Sequence, residues 1–390
     1  MTRTRNLLVG AGLVALLAAL GVGQRFVEQQ AAAQAKGAVQ APRFEVDPMW
    51  PKPLPNHWVM GNVIGVGIDS RDHVYIIHRG AGSLEEKEIY AAANPPASEC
   101  CIPAPPVIEF DPEGNVVQAW GGEGAGYEWP KQEHGIRVVG DSVWFGGNHK
   151  DDGFLLKFTR DGKFVGQLGK AGPRKGDQDT TQLGQPADFW IDAAANEVYV
   201  ADGYGNHRII VFDATTFAYK RHWGAYGKPP AAEDNPKSTD PGGHPYDPKA
   251  PVSQTFNNPV HCVKIANDGL VYVCDRTNDR MQVFHKDGSF VSEKIYLPQT
   301  LSGSVWDLYL WPDKEQSFLV MVDGGNNEMR VVRRSDGEVV GSYGRFGRMA
   351  GQFFGVHNIA IDSRGNVFTT EVYEGKRIQR WKVVSGAPVR

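Results

Sequence analysis

Short apolar runs, each stopped by an Asp- or Gly-rich turn and followed by a second apolar run, recur six times along the chain. They read "VIGVGIDSRDHVYIIHR", "HGIRVVGDSVWFGG", "PADFWIDAAANEVYVADG", "VHCVKIANDGLVYVCDR", "VWDLYLWPDKEQSFLVMVDG" and "VHNIAIDSRGNVFTTEV". Runs this short, rich in Val, Ile, Tyr and Phe and punctuated by turn residues, predict strands joined in antiparallel hairpins. Most units continue into a third strand and a further turn, as in "RIIVFDATTFAYKRHWG" and "RMQVFHKDGSFVSEKIY". Each unit is therefore a four-stranded antiparallel sheet. Such a sheet cannot bury its own faces, and radial repetition around a channel is the arrangement that covers them. Six copies predict an all-β, six-bladed β-propeller. The last unit ends after "RIQRWKV" without a fourth strand, whereas "RFEVD", Arg43 to Asp47, precedes the first. That N-terminal strand is expected to complete the last blade and close the ring. Two connections are too long for turns: Lys228 to Gln254, an excursion between blades three and four, and Ala81 to Pro106, an insertion within blade one. Connections of this length are functional or mobile.

Charge narrows the partners. The 390 residues carry 41 Lys+Arg against 45 Asp+Glu, a formal charge of -4, so there is no basic excess to attract nucleic acid. Small molecules or peptides are the expected partners. At the N-terminus Arg3 and Arg5 precede an apolar run from Leu7 to Gly23, the charged and apolar regions of an export signal. Residues 1–35 are read as a signal peptide, or an uncleaved membrane anchor, with its linker, and 42–390 as the propeller. Export to the periplasm or beyond places the cysteines in an oxidising compartment. Cys262 and Cys274 lie symmetrically about Asp268 in the turn "NDG", so a hairpin sets them opposite each other and favours a cross-strand disulfide over two reduced core thiols. For the adjacent Cys100 and Cys101, a vicinal bridge and two free thiols both stay open.

The first strands align on the apolar residue before the turn: Ile68, Val138, Ile191, Ile265, Leu310 and Ile361. Four positions earlier stand Ile64, His134, Ala187, His261, Trp306 and His357. Histidine thus fills blades two, four and six. By symmetry these blades are about 120° apart around the channel that first strands line. With 11 His in 390 residues, this alternation arises by chance roughly once in a thousand. Three neutral imidazoles meeting on an axis make a metal site with an open fourth position, the arrangement of catalytic zinc. Imidazole also suits copper, iron and nickel. A histidine-lined channel without metal is the alternative. Isolated histidines such as His73 and His285 are read as satisfied structural residues.

Four motifs carry a resemblance: "HRG" with Arg79, "ADGYGNHRI" with Tyr204, "CDRTNDRMQVF" with Arg276, and the three histidines. Together they resemble the lyase half of the peptidylglycine α-amidating enzymes, a six-bladed propeller of the NHL-repeat type. The resemblance implies zinc on His134, His261 and His357, Tyr204 as catalytic base, and Arg79 and Arg276 supporting the tyrosine or binding substrate. It implies a structural calcium held by the backbone carbonyls of Val66 and Ile136 and by the side chain at Asn358, where the family carries aspartate. Further departures are "EH" and "VH" in place of the family's "PH" pairs, and Gly205 where a cysteine follows "DGY". The implied reaction cleaves the N–C bond of a peptidyl or acyl α-hydroxyglycine, giving an amide and glyoxylate. No copper monooxygenase domain stands in this chain to make that substrate, so its supply is expected from elsewhere. Nearby positive charge from Arg79, Arg276 and the metal is expected to bring Tyr204 toward use as a base near neutral pH. Two other classes compete: a metal-dependent propeller hydrolase or lactonase, whose sites usually use carboxylate and amide ligands, and a non-catalytic NHL binding module. For the arginines, ion pairs with Asp275 or Glu371 are the structural alternative.

Overall fold

The computed structural model describes residues 40–231, 249 and 251–386. The expected signal or anchor at 1–35 lies outside them, as does most of the excursion between blades three and four. Among the described residues no helix is long and apolar enough to cross a membrane.

Six four-stranded sheets follow the six repeats. Their first strands are Val63–Ile68, Glu133–Val139, Asp188–Asp192, Val260–Ile265, Asp307–Leu310 and Val356–Ile361. These touch one another in a ring and form the channel wall. Alternation along each strand sends successive side chains to opposite faces. In the second strand of blade five, Val320 and Val322 join the cluster shared with blade six, whereas Leu319 and Met321 join the one shared with blade four. Six such clusters, one per blade interface, make the core of the described residues. Outer turns key into the neighbouring blade. Gly162, at φ +77, lies against the Trp120 indole, where an added Cβ would come within 2.8 Å.

Closure is as expected. Strand Arg43–Asp47 pairs antiparallel with Arg377–Ser385 and is the outermost strand of blade six. The blade-one insertion forms three short 3-10 turns and a two-stranded parallel pairing of Ile102–Pro103 with Trp58–Val59. His78 ties it down. Its Nδ1 accepts from the Gly61 amide at 3.2 Å and its Nε2 donates to the Pro105 carbonyl at 3.0 Å. Burial holds this imidazole at about 4, well below the ordinary 6.5. The unfolded chain therefore takes up the proton first, and stability present above pH 6.5 is lost as pH falls toward 4. A shift of this size corresponds to on the order of 3 kcal/mol. Denaturant midpoints measured across that window should fall, and His78→Gln should flatten the slope by its share.

Cys262 stands opposite Cys274 in the register and is bonded to it, with Cα atoms 4.8 Å apart. Cys100 is bonded to Cys101. Both bridges are compatible with an extracellular location. Replacing Cys262 and Cys274 by alanine should lower stability by about 2–3 kcal/mol, read as a lower guanidinium midpoint than in the oxidised protein. An unchanged midpoint would show that the bridge leaves the fold's stability untouched.

Candidate metal centre

Each channel histidine sits at an irregularity of its strand. The pairing register slips between His134 and Ile136, between Val260 and Cys262, and between Val356 and Ile359. A bulge re-aims the side chain next to it, here into the channel. The three rings lie 5.4, 4.9 and 4.8 Å apart between centroids, at steep mutual angles. One nitrogen from each falls within 4.8 Å of the other two.

The opposite nitrogens are all held. His134 Nδ1 meets the Ala187 carbonyl at 2.5 Å, His261 Nδ1 the Trp306 carbonyl at 2.5 Å, and His357 Nδ1 the Asn358 Oδ1 at 2.5 Å. Ala187 and Trp306 are the residues that fill the same slot in the odd blades. Their backbone orients the histidine of the blade before. With each Nδ1–H committed to an acceptor, each Nε2 lone pair faces the axis, the usual outer support of a metal-ligating histidine. Burial first holds all three rings neutral: with neighbouring imidazoles and guanidiniums adding to it, His134 and His261 are pushed well below 6.5, and with Arg79 and Arg276 adding to it, His357 goes down to about 3. Three neutral, fixed imidazoles fit a borderline transition ion such as zinc.

Tyr204 reaches this cage because of the glycine before it. A Cβ at Gly203 would lie 2.0 Å from the Val260 carbonyl oxygen, so only glycine lets the turn press against blade four. Asn258 Nδ2 then donates to the Tyr204 carbonyl at 2.7 Å. The hydroxyl ends 3.3 Å from His134 Nε2, 3.1 Å from His261 Nε2 and 3.4 Å from Arg276 Nη1. Arg276 lies over the Trp306 ring at 4.3 Å. Arg79 donates to the Glu133 carbonyl at 3.2 Å and to Asn148 Oδ1 at 2.9 Å. Among the described residues neither arginine pairs with a carboxylate: Asp275 is taken by Arg280 and Glu371 by Arg377. Two uncompensated guanidiniums therefore flank the phenol. They do not by themselves make it acidic. Burial raises the Tyr204 pKa, and Arg276 and Arg79 only oppose that rise. The expected depression thus depends on a further cation at the imidazoles.

The calcium expectation needs correction. Val66 and Ile136 direct their carbonyls at Arg137, whose Nη1 donates to them at 3.0 and 2.9 Å. Asn358 turns its amide nitrogen toward Asp307 and its oxygen toward His357. Calcium requires six to eight free oxygen ligands. Here the same oxygens already serve a guanidinium and an imidazole, so the residues do not fit that ion. A second group of potential ligands, Asp69, His73 and Glu109, is likewise committed: Arg71 bonds both carboxylates, and His73 Nδ1 meets Glu109 at 2.6 Å.

The architecture and the cage define a six-bladed β-propeller with a candidate transition-metal centre on its axis. No family model matches the chain. NHL repeat-containing protein 3 of Mus musculus is 26% identical over 258 residues, covering 64% of this chain and 58% of the relative. Peptidyl-glycine alpha-amidating monooxygenase B of Xenopus laevis is 25% identical over 242 residues, 60% of this chain and 24% of the relative. The Rattus norvegicus peptidylglycine alpha-amidating monooxygenase is 25% identical over 235 residues, 58% of this chain and 21% of the relative. The chain therefore spans between about a fifth and three fifths of the length of these relatives. A solved streptogramin B lyase superposes with a TM-score of 0.49 at 13% identity, over 87% of this chain and 98% of that one.

Proposed function

We propose that the protein is an exported, zinc-dependent carbon–nitrogen lyase that splits a peptidyl or acyl α-hydroxyglycine into an amide and glyoxylate. The observation that carries this reading is the meeting of the Tyr204 hydroxyl with two cage imidazoles and the Arg276 guanidinium. A zinc ion held by His134, His261 and His357 would supply Lewis acidity, which makes a nearby hydroxyl easier to deprotonate. Arg79 and Arg276, with no carboxylate partner among the described residues, would bind the substrate's own carboxylate. Tyr204 would take the proton of the carbinol hydroxyl. The oxygen then forms a carbonyl, the C–N bond breaks with its electrons on nitrogen, and the nitrogen recovers a proton to become the amide. No electron is gained or lost.

A cleft of about 300 Å³ beside Arg79, lined also by Asn62, Ser83, Gln132, Tyr373 and Lys376, leaves room for the rest of a small-molecule or peptide substrate. Asn62 Oδ1 is buried there without a partner among the described residues. The distant kinship with amidating enzymes supports the same reading. The test is glyoxylate release from a panel of acyl- and peptidyl-α-hydroxyglycines by zinc-loaded protein. Release that a chelator stops is expected; a fully loaded protein that yields none rejects the lyase.

A further inference from the structure

Beside the imidazole cage runs a second polar layer built from buried charges of four blades. Arg137 Nη2 donates to Asp188 Oδ1 at 2.7 Å, and Lys264 Nζ bridges Asp188 Oδ2 at 2.5 Å and Asp307 Oδ1 at 2.7 Å. Asp307 Oδ2 accepts from Asn358 Nδ2 at 3.1 Å and from the Ile359 amide at 3.2 Å. Asn358 Oδ1 in turn holds His357 Nδ1. Blades two, three, four and five thus contribute cation, anion, cation and anion, and the formal charges cancel. All five side chains are buried, Lys264 and Asp307 completely. A buried charge persists only when paired, and each of these four charges has its counter-ion.

One end of the chain lies on the Val66 and Ile136 carbonyls through Arg137, and the other ends on a cage histidine. We propose that this Arg137–Asp188–Lys264–Asp307–Asn358 chain takes the place of a bound calcium ion on the propeller axis and, through Asn358, fixes the His357 ring for its metal. The proposal stands on the cage and its neighbours, not on the lyase chemistry. A guanidinium suits the position because its planar fork serves the two carbonyls from Nη1 and the Asp188 carboxylate from Nη2, whereas an ammonium would have to reach all three from a single nitrogen.

Two measurements test it. In thermal unfolding of zinc-loaded protein, millimolar calcium should leave the wild-type midpoint unchanged; a calcium-dependent rise, or stoichiometric calcium in the purified protein, overturns the replacement. Arg137→Ala frees both carbonyls and leaves Asp188 under-compensated, so its midpoint should fall by roughly 5–10 °C and calcium should now restore part of the loss. If that variant does not fold, Arg137→Lys keeps the charge and should show the smaller loss without a calcium response. The positioning role is read as zinc affinity in chelator competition. Asn358→Leu removes the acceptor from His357 Nδ1 and should weaken binding about 10–100-fold, the usual effect of losing such an outer partner. Asn358→Thr keeps a neutral oxygen acceptor without adding a buried charge beside Asp307 and should recover part of that affinity. Wild-type affinity in Asn358→Leu overturns the positioning role.

Discussion

His261→Ala is expected to lose the metal and, with it, on the order of 10³-fold or more of glyoxylate release. The magnitude follows from withdrawing a Lewis acid that contributes several kcal/mol to the barrier, each 1.4 kcal/mol being tenfold. His261 is completely buried, its Nδ1 is anchored on Trp306, and its Nε2 faces both the other imidazoles and Tyr204. Without it two imidazoles remain, too few to hold the ion against water and buffer. The strand itself should survive, because the Cys262–Cys274 bridge and the flanking Val260 and Val263 keep their places in the core. Metal analysis of protein purified without an affinity histidine tag decides the matter. One ion per chain in the wild type and none in the variant is the expected pair of results. Full occupancy in the variant would place the ion elsewhere.

Tyr204→Phe should separate chemistry from metal binding. The ring's contacts with His134 and His261 remain, while the hydroxyl proposed to accept the substrate proton is deleted. Turnover should fall by about 10²–10⁴-fold, the usual contribution of a positioned acid or base. Zinc content and thermal midpoint should barely move. The pH profile carries the sharper signature. Burial raises the phenol's pKa, so a wild-type enzyme that needs the phenolate gains activity as pH rises, and the phenylalanine variant should lose that limb. A variant with full activity would dismiss Tyr204 as base and leave the cage standing.

Much of this was legible in the residues. Six hairpins with Asp/Gly turns predict six blades, because strand periodicity and turn chemistry are local properties. The histidine alternation was legible because one slot repeats around a ring. The bridge between Cys262 and Cys274 was legible because a short turn fixes its own register, whereas Cys100 and Cys101, as neighbours, have no register to read. The ionic chain also left a signal. Three positions before the aligned apolar residue stand Asp188, Asp307 and Asn358, and one position before it stand Arg137 and Lys264, all on the first strands that line the channel. Aligning a single slot missed them. The calcium expectation came from the resemblance, which matches residues position by position and does not show that the Arg137 side chain folds back onto the Val66 and Ile136 carbonyls. For Tyr204 the sequence showed the two arginines but not the burial that outweighs them, so the expected depression rests on the metal that completes the set. Charges can be counted along a chain, but depth of burial cannot.

The seam of the ring has a consequence for how copies of the chain meet. Asp47 accepts hydrogen bonds from Arg380, 333 residues away, and pairs with Lys382 as well, so blade six is finished by the first strand of the propeller and the last. Until both are present, the Arg377–Ser385 strand offers an open hydrogen-bonding edge, the kind of edge that captures whatever strand is at hand. An Arg43–Asp47 segment from another molecule carries the same side chains and the same backbone groups. Whether it binds its own sheet or a neighbour's is decided by local concentration rather than by fit, so crowded refolding should yield strand-exchanged dimers that dilution before refolding prevents.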